Sequence, residues 1–279
     1  MRYIFVNLKR FDIPREYDGI NGLASMETWG SYITEHIKET MIEFEDKAEM
    51  AVFFPECHLI PVLEKKIPGS KWYVGAQGVY REDTSAGGNF GAFTTNKTGK
   101  SLKALGCGYV LIGHCEERMD KNGILEEAGV TNTAAVNRIL NREIACALEA
   151  GLKVLYCVGE KEEERDRWQK ILEEQLVIGL EGADTSRVAV AYEPLWSIGP
   201  GKPVPDREYI TKIASFIKEK TNGCPVIYGG GLKEANADML ASITAIDGGL
   251  IGLTKFDGDF GFYPEGFKNI VQKYLEGDV

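Results

Sequence analysis

The sequence predicts an α/β protein built as a (β/α)8 barrel, a closed sheet of eight parallel strands surrounded by helices. Short apolar runs alternate with longer amphipathic segments along the whole chain, which is typical of repeated strand–helix units. The runs are apolar throughout, as strands buried on both faces should be. No hairpin signal such as Asn-Gly joins two neighbouring runs, which favours parallel pairing through helical crossovers. An open doubly wound sheet is the alternative arrangement.

Eight runs are predicted as strands and six longer segments as helices. The strands are expected at residues 3–7, 50–54, 71–75, 108–112, 153–158, 188–192, 225–228 and 247–251. The helices are expected at about 25–47, 131–150, 162–180, 206–221, 234–244 and 264–275. Stretches 81–90, 119–131 and 257–263 have the composition of loops. Because no linker interrupts the pattern and such barrels occupy ~250 residues, residues 1–279 are predicted to form a single domain.

Composition argues against several classes of partner. The chain of 279 residues has a formal net charge of −10 and an isoelectric point near 5.0, which disfavours nucleic acid and anionic membranes. Six scattered cysteines without a C-x-x-C pair are typical of a reduced protein in which most of them are small buried residues. The apolar start "MRYIFVNLKRF" is too short for a signal peptide or a membrane span. These features predict a cytoplasmic protein with no nucleic acid or membrane partner.

Polar residues and glycines follow the predicted strands, at the edge where a parallel barrel places its active site. They are Asn7, Lys9, Gln77, His114, Glu116, Glu160, Glu193, the glycines at 229–231, Gly252 and Lys255. Taken singly, His114 is more often a hydrogen-bonded structural histidine, and Glu193 could equally be a salt-bridge partner. Their convergence on one rim favours a functional site.

Three other features are given structural interpretations or are set aside. His36 and His58 have no comparable neighbours in the sequence and are interpreted as structural. The segment "GPGK" at 199–202 lacks the remaining residues of the nucleotide-binding phosphate loop. The sequence therefore predicts no nucleotide site there.

A series of motifs carries a resemblance to a known family. They are "VNLKR" at 6–10, "GAQ" at 75–77, "GAFT" at 91–94, "YVLIGHCEER" at 109–118, "YCVGE" at 156–160, "AYEPLWSIGPGK" at 191–202, "YGGGL" at 228–232, "IDGGLIG" at 246–252 and "YPEGFKNIV" at 263–271. In this order, over nearly the whole chain, they resemble the triosephosphate isomerase family.

The resemblance implies a TIM-barrel isomerase that interconverts dihydroxyacetone phosphate and D-glyceraldehyde 3-phosphate. It implies Glu193 as the base, His114 as the electrophile, and Lys9 and Asn7 as electrostatic and hydrogen-bonding partners. Glu116 would be a buried carboxylate that supports Lys9. The reaction moves a proton between adjacent carbons through an enediolate, which one carboxylate can do. In this family a helix N-terminus keeps the histidine neutral, so we expect a neutral ring here.

The resemblance also implies how the substrate is held and how the protein assembles. Main-chain amides near four residues would bind the phosphate: Gly199, Gly231, Gly252 and Leu253. The segment 194–203 would be a lid, stiffened by proline and jointed by Gly199 and Gly201, that excludes water during the reaction. No metal and no organic cofactor is implied. The partner would be a small sugar phosphate, and the chain would form a homodimer through the 75–94 loop.

Several positions depart from the family pattern. Gly231 and Cys115 stand where the family has serines, and Leu253 stands where it has glycine. Lys255 replaces a small residue and is expected to add positive charge near the phosphate, while Pro200 and Pro203 stiffen the far end of the lid. These departures leave a four-carbon ketose phosphate, erythrulose phosphate, as an alternative substrate for the same proton transfer. A non-catalytic phosphate-binding barrel is the third hypothesis.

Overall fold

The computed structural model describes residues 1–199 and 202–277, in which eight strands pair in chain order to form a closed barrel. The strands are β1 (Arg2–Asn7), β2 (Ala48–Phe54), β3 (Tyr73–Ala76), β4 (Tyr109–Ile112), β5 (Lys153–Val158), β6 (Val188–Tyr192), β7 (Val226–Tyr228) and β8 (Gly248–Ile251). All neighbouring pairs are parallel, and β1 pairs with both β2 and β8. The predicted (β/α)8 barrel is therefore confirmed, and the closed sheet excludes the open alternative.

At least one helix follows each strand along the chain. The helices are α1 (Trp29–Phe44), α2 (Leu59–Lys65), α3 (Gly99–Leu105), α4 (Cys115–Glu127), α5 (Thr133–Glu149), α6 (Trp168–Gly179), α7 (Arg207–Lys220), α8 (Ala237–Ala241) and α9 (Pro264–Glu276). Short 3-10 turns at Glu162–Arg167 and Leu195–Ser197 follow β5 and β6.

Two clusters of buried side chains divide the strand residues between them. The smaller cluster contains strand residues only, including Phe5, Phe53 and Leu155, and it fills the interior of the barrel. The larger cluster joins the alternate strand residues, such as Ile4, to helix residues such as Ile33. Both faces of each strand are therefore covered, which is the physical reason why the strands appear in the sequence as continuous apolar runs.

The predicted strands agree with the observed ones to within two residues at each end, and the helices less closely. The segment 119–131, predicted as a loop, is helical as far as Glu127 in α4. No residue of α4 is buried, so the helix shows no apolar periodicity that could reveal it. The short helices α2 and α3 were also not predicted, and α1 begins at Trp29 instead of near residue 25.

The cysteines are less buried than the sequence predicted. Cys107, Cys157 and Cys224 are buried, whereas Cys57 is exposed and the other two are partly exposed. All six are free thiols. Within residues 1–199 and 202–277, no helix combines the length and the apolar content needed to cross a membrane.

Candidate active site

The eight residues predicted to catalyse the reaction or to bind the phosphate line one cavity at the carboxyl ends of the strands. The cavity has a volume of about 230 Å³. The eight are Asn7, Lys9, His114, Glu193, Gly199, Gly231, Gly252 and Leu253. The barrel brings them together because each follows or ends a strand of the same parallel sheet.

Glu193 follows β6 directly and is 2% exposed. Its Oε2 accepts a hydrogen bond from the Cys115 main-chain N–H at 3.0 Å. Its Oε1 lies 3.2 Å from His114 Nε2, but the two atoms are not in hydrogen-bonding geometry and Oε1 has no other partner. Burial raises the pKa of Glu193. A buried carboxylate with one unsatisfied oxygen is suited to accept a proton.

The approach of Glu193 to β5 depends on a glycine. A Cβ atom at Gly159 would lie 1.9 Å from the carbonyl oxygen of Glu193. The Glu193 N–H donates to the Val158 carbonyl at 2.7 Å, which holds the end of β6 against the end of β5. Any side chain at residue 159 would displace the start of the loop that carries the carboxylate.

His114 is the N-cap residue of α4 and lies between two carboxylates. Its Nδ1 is 3.3 Å from Glu116 Oε2, and its Nε2 faces Glu193. Burial acts to lower the pKa of His114, but the charge of Glu193 and hydrogen bonds to Cys115 and Glu116 outweigh it and raise the pKa to about 10. The two nearby carboxylates therefore act against the neutral ring that the sequence predicts, whereas the N-terminus of α4 favours it.

The Nδ1 atom of His114 has two neighbours, of which one is a hydrogen-bond donor and the other a hydrogen-bond acceptor. The Glu116 main-chain N–H points to it at 3.4 Å, which requires an acceptor, whereas the Glu116 carboxylate requires a donor. Protonation of Nδ1 strengthens its contact with the Glu116 carboxylate, because a positively charged donor then faces a negatively charged acceptor.

Lys9 and Asn7 are fixed by a network at the end of β1. Lys9 has a positive φ of 42°, which is costly for a residue with a side chain. The Lys9 N–H donates to Asn7 Oδ1 at 3.0 Å. Gln77 donates to the Lys9 carbonyl at 2.9 Å and to Asn7 Oδ1 at 3.3 Å. These bonds hold the lysine in its strained conformation beside the cavity.

Glu116 pairs with Lys9 as predicted but is not buried. Lys9 Nζ lies 2.7 Å from Glu116 Oε1, and the Glu116 side chain is 56% exposed. The hydrogen bond to His114 lowers the pKa of Glu116 to about 2; Lys9 adds to this effect and burial opposes it. The prediction of a buried carboxylate was wrong because α4 lies at the surface.

The sequence missed Lys233, a half-buried residue that lines the cavity beside the loop after β7. Burial lowers its pKa, and its ammonium lies 4.4 Å from the centre of the Phe256 ring. Lys255, which was expected to supply charge there, is exposed, lies 5.5 Å from the Tyr263 ring and does not line the cavity. The only signal for Lys233 was its position directly after "YGGGL".

Two of the glycines on the phosphate side have left-handed backbones. Gly199 has φ of 120° and Gly231 has φ of 95°, conformations that side chains rarely adopt. The absence of a side chain at these positions lets the main chain itself face the cavity.

Glu160 is on the rim but does not reach the cavity. It is buried, and its Oε1 accepts hydrogen bonds from the Tyr192 hydroxyl and the Trp196 indole N–H, both at 2.8 Å, and from Tyr209 at 3.2 Å. Burial raises the pKa of Glu160. This carboxylate anchors the segment that directly follows Glu193.

The two ends of the predicted lid are tied together. The Ser197 hydroxyl donates to the Pro203 carbonyl at 2.6 Å. Pro200 and Gly201, which the sequence placed at the tip of the lid, lie outside the described residues.

Two groups of side chains combine a cysteine, a histidine and a carboxylate, with potential ligand atoms within 4.8 Å of one another. The active-site cluster consists of His114, Cys115 and Glu193; the Asp12 cluster consists of Asp12, Cys57 and His58. In the latter, His58 Nε2 lies 3.1 Å from Asp12 Oδ2. The third histidine, His36, is exposed and contacts the Tyr32 carbonyl through Nδ1.

Comparison with known proteins identifies the family. The family model described as triosephosphate isomerase matches residues 26–273. The chain is 35% identical to a triosephosphate isomerase of Syntrophotalea carbinolica, over 72% of this chain and 76% of that protein. It is 29% identical to that of Aquifex aeolicus, over 86% of this chain and 93% of that protein.

A solved structure agrees at the level of the fold. The triosephosphate isomerase of Bartonella henselae superposes with a TM-score of 0.72 and 24% identity, covering 98% of each chain. The family model alone covers most of the sequence, so the resemblance and the predicted enzyme class are confirmed. The chain belongs to the triosephosphate isomerase family, which is a family of isomerases.

Proposed function

We propose that this chain interconverts dihydroxyacetone phosphate and D-glyceraldehyde 3-phosphate through an enediolate. The observation that carries the proposal is the convergence of Lys9, His114 and Glu193 on one cavity that is also lined by the glycine-rich loops. A proton acceptor, a proton donor, a fixed positive charge and a phosphate cradle are the groups that this reaction requires.

Glu193 is the proposed base. It lines the cavity, and its Oε1 is free to accept a proton. In the described conformation the other oxygen is held by the Cys115 amide. During the reaction the carboxylate leaves this amide, removes a proton from one substrate carbon and returns it to the next.

His114, Lys9 and Asn7 are the proposed stabilisers of the enediolate. His114 Nε2 faces Glu193 and His114 lines the cavity, so this nitrogen is the one proposed to donate to the two substrate oxygens in turn. Lys9 brings a positive charge whose position is fixed by its backbone network and by Glu116. Charge that is fixed in place before the reaction stabilises a developing oxyanion more strongly than mobile water does.

The glycine-rich loops would hold the phosphate. Main-chain amides near Gly199, Gly231, Gly252 and Leu253 are the proposed donors, because these residues line the wall of the cavity that the loops form. Lys233 adds a half-buried ammonium on the same wall. The loop after Glu193 closes over the substrate and excludes water, which protects the enediolate phosphate from elimination.

Erythrulose phosphate is the alternative substrate, with the same mechanism. The departures at Gly231 and Leu253 favour it, since both residues line the phosphate wall. A non-catalytic phosphate-binding barrel is the less favoured third candidate, because such a protein would have little reason to keep Lys9, His114 and Glu193 together.

We also propose a homodimer formed through the 75–94 loop. Phe90 in this loop is 89% exposed, and an aromatic side chain of that size gains from burial against a partner. A monomeric mass in solution at micromolar concentration would contradict the dimer.

The test of the function is a coupled assay of the purified protein with triose and tetrulose phosphates. We expect turnover of dihydroxyacetone phosphate and glyceraldehyde 3-phosphate, a sharply reduced rate for Glu193→Asp, and a rate for Glu193→Gln close to the background. Turnover of the tetrulose phosphate alone would replace the first substrate by the second. Absence of turnover with either would overturn the enzyme proposal.

A further inference from the structure

We propose that Glu117 is a positioning residue for His114, and that it acts by holding the main-chain N–H of Gly113, the residue directly before the histidine. Glu117 does not line the active-site cavity, so it acts through the main chain and not on the substrate. The effect on the rate rests on the proposed function of His114, whereas the placement of the ring does not.

The main chain of Gly113 is held on both sides by side chains of α4. Its N–H donates to Glu117 Oε2 at 2.6 Å, and its carbonyl accepts from Arg118 Nε at 2.8 Å. The carbonyl belongs to the planar peptide unit that joins Gly113 to His114. The two hydrogen bonds together therefore fix the direction in which the main chain enters His114.

Gly113 itself lies tightly against β5. It has φ of 78°, a conformation that glycine adopts readily and other residues do not. A Cβ atom there would lie 2.9 Å from the carbonyl oxygen of Cys157. A main-chain N–H at such a closely packed position needs an acceptor, and Glu117 supplies it. The hydrogen bond to Glu117 therefore maintains the one position that Gly113 has against β5.

The carboxylate of Glu117 is itself fixed by an ion pair. Its Oε1 lies 3.0 Å from Lys121 Nζ, and the two side chains are only 20% and 19% exposed. The same ammonium lies 3.1 Å from Oε1 of Glu143 in α5. Both oxygens of Glu117 therefore have a partner, and the lysine ties α4 to α5. A carboxylate held at both oxygens has a defined position from which to hold Gly113.

The contact differs from an ordinary helix cap because it spans the histidine. His114 is the N-cap residue of α4, and Glu117 is the third residue of the helix. In a capping box the glutamate at this position accepts from the N–H of the N-cap residue. Glu117 instead reaches the residue before it, so the contact joins the end of β4 to the first turn of α4 across His114. Catalytic groups have to be held to within about 0.5 Å, and this contact is suited to do so.

Two conservative variants separate the hydrogen-bond acceptor from the charge. Glu117→Gln keeps the length of the side chain and an oxygen that can accept from Gly113, but it loses the charge. Glu117→Asp keeps the charge that pairs with Lys121, but its carboxylate is one methylene shorter and should not reach the Gly113 N–H. We expect Glu117→Gln to resemble the parent chain and Glu117→Asp to lose activity. A purely electrostatic role would give the opposite order.

The effect on the reaction is measured by steady-state kinetics with the substrate that the parent chain turns over. In Glu117→Asp kcat should fall by about 10–100-fold, because misplacing a reacting group by about 1 Å can cost the larger factor. In Glu117→Gln it should stay within a few-fold of the parent value. KM should change only a few-fold in both variants, since Glu117 does not line the cavity. Glu127→Gln and Glu127→Asp, at the exposed end of the same helix, are the matched controls and should behave as the parent chain does.

The placement of the ring is measured without turnover, by nitrogen-15 nuclear magnetic resonance of the three histidine side chains. The signals of His114 are those that His114→Gln lacks. They should shift in Glu117→Asp and not in Glu117→Gln, while the signals of His36 and His58 stay unchanged and show that the fold is intact. Unshifted His114 signals in Glu117→Asp, or equal losses of kcat in the two variants, would overturn the proposal. Shifted signals without a loss of kcat would overturn the effect on the rate alone.

Discussion

The active-site cluster and the Asp12 cluster each combine a cysteine, a histidine and a carboxylate. They differ in how completely the carboxylate is hydrogen-bonded. Asp12 is 0% exposed, and both its oxygens are satisfied by Arg10, with His58 as a further neighbour. Glu193 is almost as buried, yet one oxygen has a single main-chain donor and the other has none. Residue type and burial are therefore nearly equal, and the difference lies in what surrounds the carboxylate.

This difference separates Asp12 from Glu193. A buried carboxylate that is fully hydrogen-bonded to a cation stabilises its surroundings. A buried carboxylate with an unsatisfied oxygen lowers stability but is ready to bind a proton or a cation. Asp12, of the first kind, lies three residues after Lys9 in the segment that follows β1, and Glu193, of the second kind, lines the cavity.

The prediction with the largest expected effect compares replacement of the histidine of each cluster. His114→Gln keeps a hydrogen-bonding side chain at the cavity but cannot exchange protons with the substrate oxygens. We expect kcat to fall by about 10²–10⁴-fold, the usual contribution of an acid–base group. Steady-state kinetics with the substrate that the parent chain turns over measures the loss.

His58→Gln is the matched control for that prediction. Because His58 contacts Asp12 and does not line the cavity, its replacement should change kcat only a few-fold. Equal losses in the two variants would mean that the Asp12 cluster takes part in catalysis, and the distinction between the clusters would fail.

The second prediction concerns stability, for which we expect the larger loss at the Asp12 cluster and not at the active-site cluster. Asp12→Asn removes the charge that binds Arg10, whose side chain is itself 54% exposed. We expect the free energy of unfolding to fall by about 1–3 kcal/mol, the usual range for hydrogen bonds to a charged group. Urea unfolding at neutral pH, followed by circular dichroism, gives this value.

Glu193→Gln is the opposing variant in the same measurement. Burial raises the pKa of Glu193, so removal of its charge relieves a cost, and stability should be unchanged or higher. A loss of stability in Glu193→Gln as large as that in Asp12→Asn would show that the two carboxylates contribute alike to the fold.

The sequence predicted the barrel and the lining of the cavity because both depend on regular features. Strands buried on both faces appear as apolar runs, and residues at their carboxyl ends must meet on one rim. The hydrogen-bonding state of each carboxylate could not be predicted in this way. The contact of Asp12 with His58 joins residues 46 positions apart, and that of Cys115 with Glu193 joins residues 78 positions apart.

The other features that the sequence could not specify have the same origin. The protonation of His114 depends on the orientation of two carboxylates, which no pattern in the sequence specifies. The exposure of Glu116 follows from the surface position of α4, a helix without buried residues and hence without a periodic signal. Lys233 reaches the cavity through the path of a glycine loop, whereas Lys255 turns away from it.

The smallest predicted effect concerns Glu143, which is buried as Asp12, Glu160 and Glu193 are. Its hydrogen bonding is intermediate between that of Asp12 and that of Glu193. Its Oε1 pairs with Lys121 Nζ at 3.1 Å, but its Oε2 has no partner. Burial, with the nearby charge of Glu117, raises the pKa of Glu143 from 4.5 to about 9, against the opposing effect of Lys121. Folded Glu143 therefore keeps a proton that the unfolded chain releases between these two pH values.

The sign of the pH dependence follows from that proton. The stability that protonated Glu143 contributes is fully present below its unfolded pKa and is lost as pH rises through its folded pKa of about 9. Unfolding measured between about pH 6 and about pH 8 should show stability falling by at most about 1 kcal/mol per pH unit more in the parent chain than in Glu143→Gln. Glu149→Gln, an exposed glutamate on the same helix, should behave as the parent chain does. If Glu143→Gln kept the full decrease of stability with pH that the parent chain shows, the unpartnered oxygen of Glu143 would be ionised without cost. An unsatisfied oxygen could then not be used to distinguish Glu193 from Asp12.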